Sequence, residues 1–395
     1  MTLCLFCPSE LDGTTKPEHI LLNALGGRKT TTRAICSACN NKFGGTIDDV
    51  LTSQVTELRS LLQLESGTGK PAPTLKNVQA GEHKVNIKGD GDLELVAKPF
   101  TIEWLDDGKW NVQIRARSEE HLAEIIPHLA AALKITEEDL RAQLGKAQGS
   151  VVSQRAGAIH HELLLGGPDA IRSAVKASLV LWSTLVGNDE VRSAPYDAAR
   201  QFALNGDKQF SLNRTHIDSR PFVDIERMKA ASGLMFNLIY VRSDESGRVV
   251  GHFTLYNAVA WQFTLAEAGG TPNAKIAIIS NPLDPRQWSD RAGEDFDVPF
   301  DWLNSPDYSD EFVRSKARLA AIIRHYFELN IPKEQARIID ECFEKLNIAP
   351  GGVVPAEKVR ELNTLIASKV AHHAFGLLEE EKLSSERIAE MLKKK

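Results

Sequence analysis

The spacing of hydrophobic and polar positions divides the chain into blocks with one period each. Apolar side chains alternate with polar ones, as in strands, within residues 83–117 and 221–280, and turn residues separate the runs. Helical spacing recurs in nine segments: 46–65, 119–133, 137–144, 166–186, 191–205, 309–329, 332–346, 356–378 and 384–394. Because strands and helices come in blocks rather than in strict alternation, the pattern favours an α+β fold with antiparallel sheets.

Breaks in this pattern indicate three parts. Residues 66–73 (SGTGKPAP) concentrate glycine and proline, and we interpret them as a linker. We therefore expect a small N-terminal module at 1–66, a larger α+β domain at 75–300 and a helical region at 301–395. Within that last region the spacing predicts separate helices before and after Pro332.

Composition narrows the class of protein. The chain is 42% hydrophobic and 25% charged, as is typical of globular proteins, and it contains no run of 18 apolar residues. The start lacks the basic region and apolar stretch of a secretory signal, so we expect a cytoplasmic protein without a membrane span. The net charge is −6, yet the first 45 residues carry five basic and three acidic side chains. A locally basic head is compatible with phosphate contacts.

Four of the five cysteines lie in that head. Cys4 and Cys7 form one CxxC pair, and Cys36 and Cys39 form a second. Paired CxxC motifs at this spacing indicate a zinc site, and four protein sulfurs would leave no ligand position open for water. We therefore predict a structural Zn²⁺, which a module too small for a core of its own requires for folding.

The order of motifs in the head resembles the HNH endonuclease superfamily, the ββα-metal nucleases, in its zinc-stapled branch. Glu18-His19-Ile20 follows the first CxxC, Leu25-Gly26-Gly27 comes next, and Asn40 and Asn41 follow the second CxxC directly. The resemblance covers residues 1–50 and implies a ββα-metal fold, with hydrolysis of phosphodiester bonds in DNA.

The resemblance also implies roles for single residues. His19 would be the general base, which its unperturbed pKa near 6.5 suits. Glu18 and Asn40 would bind a single catalytic Mg²⁺ or Mn²⁺, although Asn40 could instead cap the following helix and Asn41 could replace it. Thr31 stands where the family has an asparagine that orients the histidine through its backbone. Because neighbouring strand residues point to opposite sides, we expect the strand to bend or end at Glu18 and His19.

DNA is the expected partner of this head. Four basic residues are candidate phosphate contacts: Arg28, Lys29, Arg33 and Lys42. One metal site cuts one strand, so a monomer would nick and a double-strand break would require a homodimer. An HNH head on an unrelated body resembles effectors of restriction and anti-phage defence, such as the HNH component of type II Zorya, which implies other defence proteins as partners. The alternative is a zinc-dependent nucleic-acid-binding adaptor or sensor that does not cleave.

Overall fold

The structure, a computed structural model, describes residues 2–12, 14–89, 93–106, 109–116, 119–153, 159, 162–349, 351–375 and 379–393. The chain forms two compact units. The first contains residues 1–74, 89–91 and 161–327, and the second contains residues 75–88, 92–160 and 328–395. These units do not coincide with the three expected segments, because each of them joins parts of the chain that are far apart in sequence.

The strands of the described residues are, in chain order, β1 Thr2–Leu3, β2 Glu10–Leu11, β3 Glu18–His19, β4 Thr30–Thr31, β5 Leu75–Ala80, β6 His83–Ile87, β7 Leu93–Leu95, β8 Phe100–Trp104, β9 Trp110–Ile114, β10 Gly149–Ser153, β11 Thr215–Asp218, β12 Asn237–Ser243, β13 Val249–Leu255, β14 Val259–Ala266, β15 Lys275–Ser280, β16 Trp288–Ser289 and β17 Glu379–Leu383. The α-helices are α1 Ser37–Gly44, α2 Ile47–Ser53, α3 Thr56–Leu61, α4 Glu119–Leu133, α5 Glu137–Leu144, α6 Pro168–Val186, α7 Asn188–Val191, α8 Asp197–Asn205, α9 Lys208–Arg214, α10 Ile225–Ser232, α11 Ala292–Asp295, α12 Phe300–Leu303, α13 Glu311–Lys345, α14 Val359–Phe375 and α15 Ser385–Lys393. The mixture confirms the α+β class.

The first unit is built on an antiparallel sheet of strand order β11-β14-β13-β12-β15-β16. Strands β12 to β14 read as long apolar runs, since both faces of the sheet are covered. Trp182 of α6 and Phe253 of the sheet belong to the core on one face. Phe222 and Tyr240 belong to a smaller core on the other face.

The head shares the larger of these cores. Leu5, Ile20 and Phe43 of the head are buried in the same cluster as Trp182 and Phe253 of the body. The head is therefore not a separate globule that zinc alone holds together. It packs on α6 and on one face of the sheet, and the free energy of burying that apolar surface stabilises head and body jointly.

Residues 66–73 fold back on the head rather than forming an extended linker. The backbone N–H of Gly67 donates to the carbonyl of Asn23 at 2.8 Å, and Ser66 is buried. A Cβ at Gly67 would lie 1.9 Å from the carbonyl oxygen of Gly27, so the close approach requires glycine. The first stretch of the first unit ends just beyond, at Thr74.

The second unit contains β5-β6-β7 as one antiparallel sheet, β8-β9 as a hairpin and β10-β17 as a pair. The sequence predicted one meander over 83–117, and the structure divides it between two sheets. Helices α4 and α5 begin and end where the spacing predicted, and they enclose a core with α15. Helix α13 continues through Pro332 instead of breaking there, because a proline removes only one hydrogen bond from a 35-residue helix.

Candidate active site

The four cysteines of the head converge. Cys4 and Cys7 lie on the turn after β1, and Cys36 and Cys39 lie at the start of α1, where Cys36 Sγ accepts the backbone N–H of Cys39. All four Sγ atoms lie within 4.8 Å of one another. A tetrahedral Zn²⁺ with Zn–S bonds of about 2.3 Å places its sulfurs about 3.8 Å apart, so the cluster fits zinc with little adjustment. This four-cysteine cluster can bind zinc, as predicted.

Hydrogen bonds around the cluster favour a thiolate. The Cys39 thiol donates to Cys4 and, with the backbone N–H groups of Cys36 and Phe6, lowers the pKa of Cys4 to about 5 despite its burial. The Cys36 N–H lies 3.3 Å from Cys4 Sγ. Since thiolates are the form that binds metal, the backbone is arranged for a ligand rather than for an inert buried thiol.

Side chains of the body donate hydrogen bonds to backbone carbonyls around the cysteine cluster. Arg192, which follows α7, donates from one guanidinium nitrogen to the carbonyls of Cys4 and Cys7, the latter at 2.8 Å. Asn188 donates to the carbonyl of Leu3 at 2.7 Å and to that of Ala34 at 3.2 Å. Both residues therefore tie the two ends of the cysteine cluster to the same short helix of the body.

The ββα arrangement that the resemblance implied is present. Strands β3 and β4 form an antiparallel pair, with Glu18 opposite Thr31 and His19 opposite Thr30, and α1 follows. The Leu25-Gly26-Gly27 motif makes the connection. Gly26 has a φ of +87°, which favours glycine over residues with a side chain. A Cβ at Gly27 would lie 1.8 Å from the carbonyl oxygen of Leu21, so this position also requires glycine.

Glu18 and His19 differ in their surroundings, as expected for neighbours at the end of a strand. Glu18 is only 4% exposed, whereas His19 is half-buried. Burial and the positive charge on Lys176 lower the pKa of His19. The imidazole is therefore neutral at neutral pH, which is the form a general base requires.

Glu18 belongs to a buried ionic cluster with the body, which we call the lysine triad (Glu18, Asp48 and Lys176). The Lys176 ammonium on α6 lies 2.6 Å from Glu18 Oε1 and 2.7 Å from Asp48 Oδ2. Burial would lower the pKa of Lys176, but the carboxylates of Asp48 and Glu18 outweigh it and raise that pKa. The ammonium therefore stays charged.

The pKa of the Glu18 carboxyl is raised, whereas a simple ion pair would lower it. Burial and the neighbouring Asp48 carboxylate raise its pKa, and the attraction of Lys176 offsets this only in part. Two carboxylates share one ammonium, so the ionised triad carries a net charge of −1. The excess negative charge favours a further positive charge at the triad, which can be a proton on Glu18 or a bound cation.

Asn40 contacts the backbone at the start of β3. Its Nδ2 donates to the carbonyl of Pro17, the residue before Glu18, at 3.3 Å. Cys36 rather than Asn40 caps α1, so the amide of Asn40 is not used as the helix cap. Its Oδ1 accepts no hydrogen bond from the described residues.

Thr31 does not reach His19 in the way that a family asparagine would. Its hydroxyl accepts the N–H of Arg33 at 3.1 Å, while its backbone pairs with Glu18. The contact between His19 and β4 is the backbone register, in which His19 lies opposite Thr30. The hydroxyl of Thr31 turns the chain towards α1 instead.

The four basic candidates have different environments. Arg28, Arg33 and Lys42 are exposed, as phosphate contacts need to be. Lys29 instead lies 2.7 Å from Asp290 of the body, and its charge holds the pKa of that carboxyl below its usual range. The ion pair ties the β3–β4 hairpin to the body, and the negative charge of Asp290 partly offsets the positive charge that Lys29 presents to a phosphate.

Sequence reasoning missed Asp48 and Lys176. Residues separated by 158 positions cannot be paired from one sequence, yet a signal was present. Lys176 is the one charged residue in a stretch of α6, mainly apolar with three serines, that is buried from Ser173 to Ser183. Because a buried ammonium requires a partner, a lysine at the centre of an apolar helix indicates an unseen carboxylate.

A ββα unit that holds a four-cysteine cluster, with a histidine on its hairpin, is the arrangement expected of a zinc-stapled ββα-metal nuclease module. Residues 4–56 match the HNH endonuclease family. The match covers the head and supports a nuclease-type function with a nucleic-acid substrate. Searches for a similar curated protein and for a similar solved structure both returned no match. No helix of the described residues is long and apolar enough to span a membrane.

Proposed function

We propose that this chain is a metal-dependent HNH endonuclease that nicks DNA. The observation that supports the proposal is the hydrogen bond from Asn40 to the carbonyl of Pro17, the residue that precedes Glu18 and His19 of β3. Glu18 Oε2 and Asn40 Oδ1 would hold one Mg²⁺ or Mn²⁺. Carboxylate and amide oxygens are the ligands such cations prefer.

In this proposal each residue has one task. Neutral His19 takes the proton from the attacking water, and Arg28, Arg33 and Lys42 hold the DNA backbone without reading its sequence. The divalent cation, when bound, stabilises charge on the phosphate and on the leaving 3′ oxygen. The structural zinc takes no part in the chemistry, since all four of its ligands are protein sulfurs.

The non-cleaving adaptor remains the second candidate, and one observation favours it. The ammonium of Lys176 already occupies Oε1 of Glu18 at 2.6 Å, as a cation would. Incubating the zinc-loaded protein with supercoiled plasmid separates the two functions. Open-circle product that requires Mg²⁺ or Mn²⁺ and disappears with EDTA supports the nuclease. Retention of the plasmid in a gel-shift without product under either metal supports the adaptor.

We propose that the protein acts in restriction or anti-phage defence. Its proposed partners are other defence proteins and a second copy of the chain in a homodimer. The support is the joining of an HNH head to a body that the family match does not cover. A plaque assay on cells that express the wild-type protein or His19→Ala tests it. Equal plaque numbers for both would contradict the defence role.

A further inference from the structure

We propose that Lys176 is a positioning residue of the nuclease site, holding Oε1 of Glu18 so that Oε2 alone faces the divalent cation. The inference rests on the proposed function, because it assigns Glu18 as a metal ligand. It adds that the body, and not only the HNH head, completes the site.

The two carboxylate oxygens of Glu18 have different contacts, which supports the positioning role of Lys176. Oε1 receives the ammonium at 2.6 Å. Oε2 accepts no hydrogen bond from the described residues, and it is not among their buried unpaired atoms, so it reaches accessible space. A carboxylate held by one oxygen has lost the rotational freedom that a metal ligand must otherwise give up on binding.

The anchoring of the ammonium supports it as well. Ser173 and Lys176 lie about one turn apart on α6, and both reach Asp48, with Ser173 Oγ donating to Oδ1 at 2.5 Å. The Lys176 Nζ also lies 5.7 Å from the centre of the Phe43 ring. Ser173 therefore fixes Asp48, Asp48 fixes Lys176, and Lys176 fixes Glu18, in a chain of contacts that begins at Ser173 on the body.

The charge balance argues against a lysine that merely replaces the metal. One ammonium facing two ionised carboxylates leaves the triad at −1, and Lys176 is fully buried, whereas Oε2 of Glu18 is not completely buried. A lysine that blocked the site would cover the accessible oxygen instead. Burying three charges is expensive, which is why a triad without a positioning task would gain from replacement by apolar side chains.

The test removes the contact but keeps the charge. Lys176→Met with Asp48→Asn leaves the local net charge at −1, and the amide oxygen introduced by Asp48→Asn can still accept from Ser173. Titration calorimetry of the full zinc-loaded chain with Mn²⁺ measures the affinity without reference to activity. We expect the dissociation constant for Mn²⁺ to rise about 10- to 100-fold, as for other residues that orient metal ligands. Lys229→Met, which removes a lysine paired with Glu226 on α10, is the matched control.

Unchanged or tighter Mn²⁺ binding by the double variant would overturn the positioning role, and tighter binding would make Lys176 a blocking residue. Ser173→Ala gives an independent reading if the double variant does not fold, because it alters no charge. We expect it to weaken Mn²⁺ binding roughly two- to fivefold by loosening Asp48, and an unchanged affinity counts against the proposal. If the wild type nicks DNA and the variants bind Mn²⁺ normally, only the positioning role fails. If the wild type neither binds Mn²⁺ nor nicks, both proposals fail.

Discussion

Arg192→Met tests whether the body stabilises the zinc cluster. Arg192 donates to the carbonyls of Cys4 and Cys7 on both sides of the first CxxC turn. Methionine keeps much of the apolar stem and removes both hydrogen bonds. Hydrogen bonds from charged donors contribute about 1.5–3 kcal/mol each, and the lower end suits a half-buried arginine, so we expect a loss of about 3 kcal/mol.

Two measurements follow from that magnitude. For a unit of this size, about 3 kcal/mol lowers the melting temperature by roughly 6–12 °C. Loss of a residue that orients a metal-binding turn weakens the metal by about 10- to 100-fold, so zinc should pass faster to a chromogenic chelator. Arg291→Met is the matched control, since Arg291 is exposed and pairs with Glu294 three residues further along. Wild-type melting and zinc release in Arg192→Met would refute the reasoning.

Further predictions address zinc, pH and salt. Cys36→Ser should lose zinc, measured by elemental analysis. It should also lower the melting temperature of the whole first unit, because head and body share a core. An unchanged melting temperature of the main transition would argue for an independent head. Burial lowers the pKa of His252 to about 4, so the unfolded chain binds its proton more readily. The free energy of unfolding should therefore be unaffected above pH 6.5 and fall by up to about 3 kcal/mol as the pH drops towards 4, and chemical denaturation of His252→Gln should lack this decline. Nicking should rise with pH with its midpoint at the pKa of His19, which lies below the usual value near 6.5; a rate that stays low until pH 8 would exclude a neutral His19 as the limiting base. Arg33→Ala should reduce the slope of log affinity against log salt by about 0.9 in DNA-binding titrations, and an unchanged slope would remove Arg33 from the interface.

The zinc cluster and the ββα order could be predicted because their information is local. Cys4 and Cys7, like Cys36 and Cys39, are separated by a spacing that one metal ion imposes, and the hairpin and α1 lie within the same 45 residues. The apolar periodicity of β12 to β14 and of α6 is equally local. Each of these features follows from the preferences of a short segment, with little influence from the rest of the chain.

The environment of Glu18 could not be predicted, because it depends on contacts between distant residues. The sequence Glu18-His19 is the same whether the glutamate faces water or contacts Lys176. Lys29 is a similar case, since its partner Asp290 lies 261 positions away. Burial of polar groups is set by tertiary packing, and the pattern of a single sequence constrains packing only through the apolar residues.

The division into units was also beyond local reasoning. Residues 66–73 contain the glycine and proline of a flexible linker, yet Gly67 is needed for a close contact with Gly27. Contacts then join 161–327 to the head rather than to the preceding strands. Turn-forming residues show where the chain changes direction, but not which segment it meets next.

The most direct test of the account compares wild type with His19→Ala on supercoiled plasmid in Mn²⁺. His216→Ala, an exposed histidine of β11, is the control for loss of an imidazole elsewhere. We predict open-circle product from the wild type and the control, and a rate at least about 100-fold lower from His19→Ala with DNA binding unchanged. Equal nicking by His19→Ala would contradict the HNH mechanism proposed for this chain.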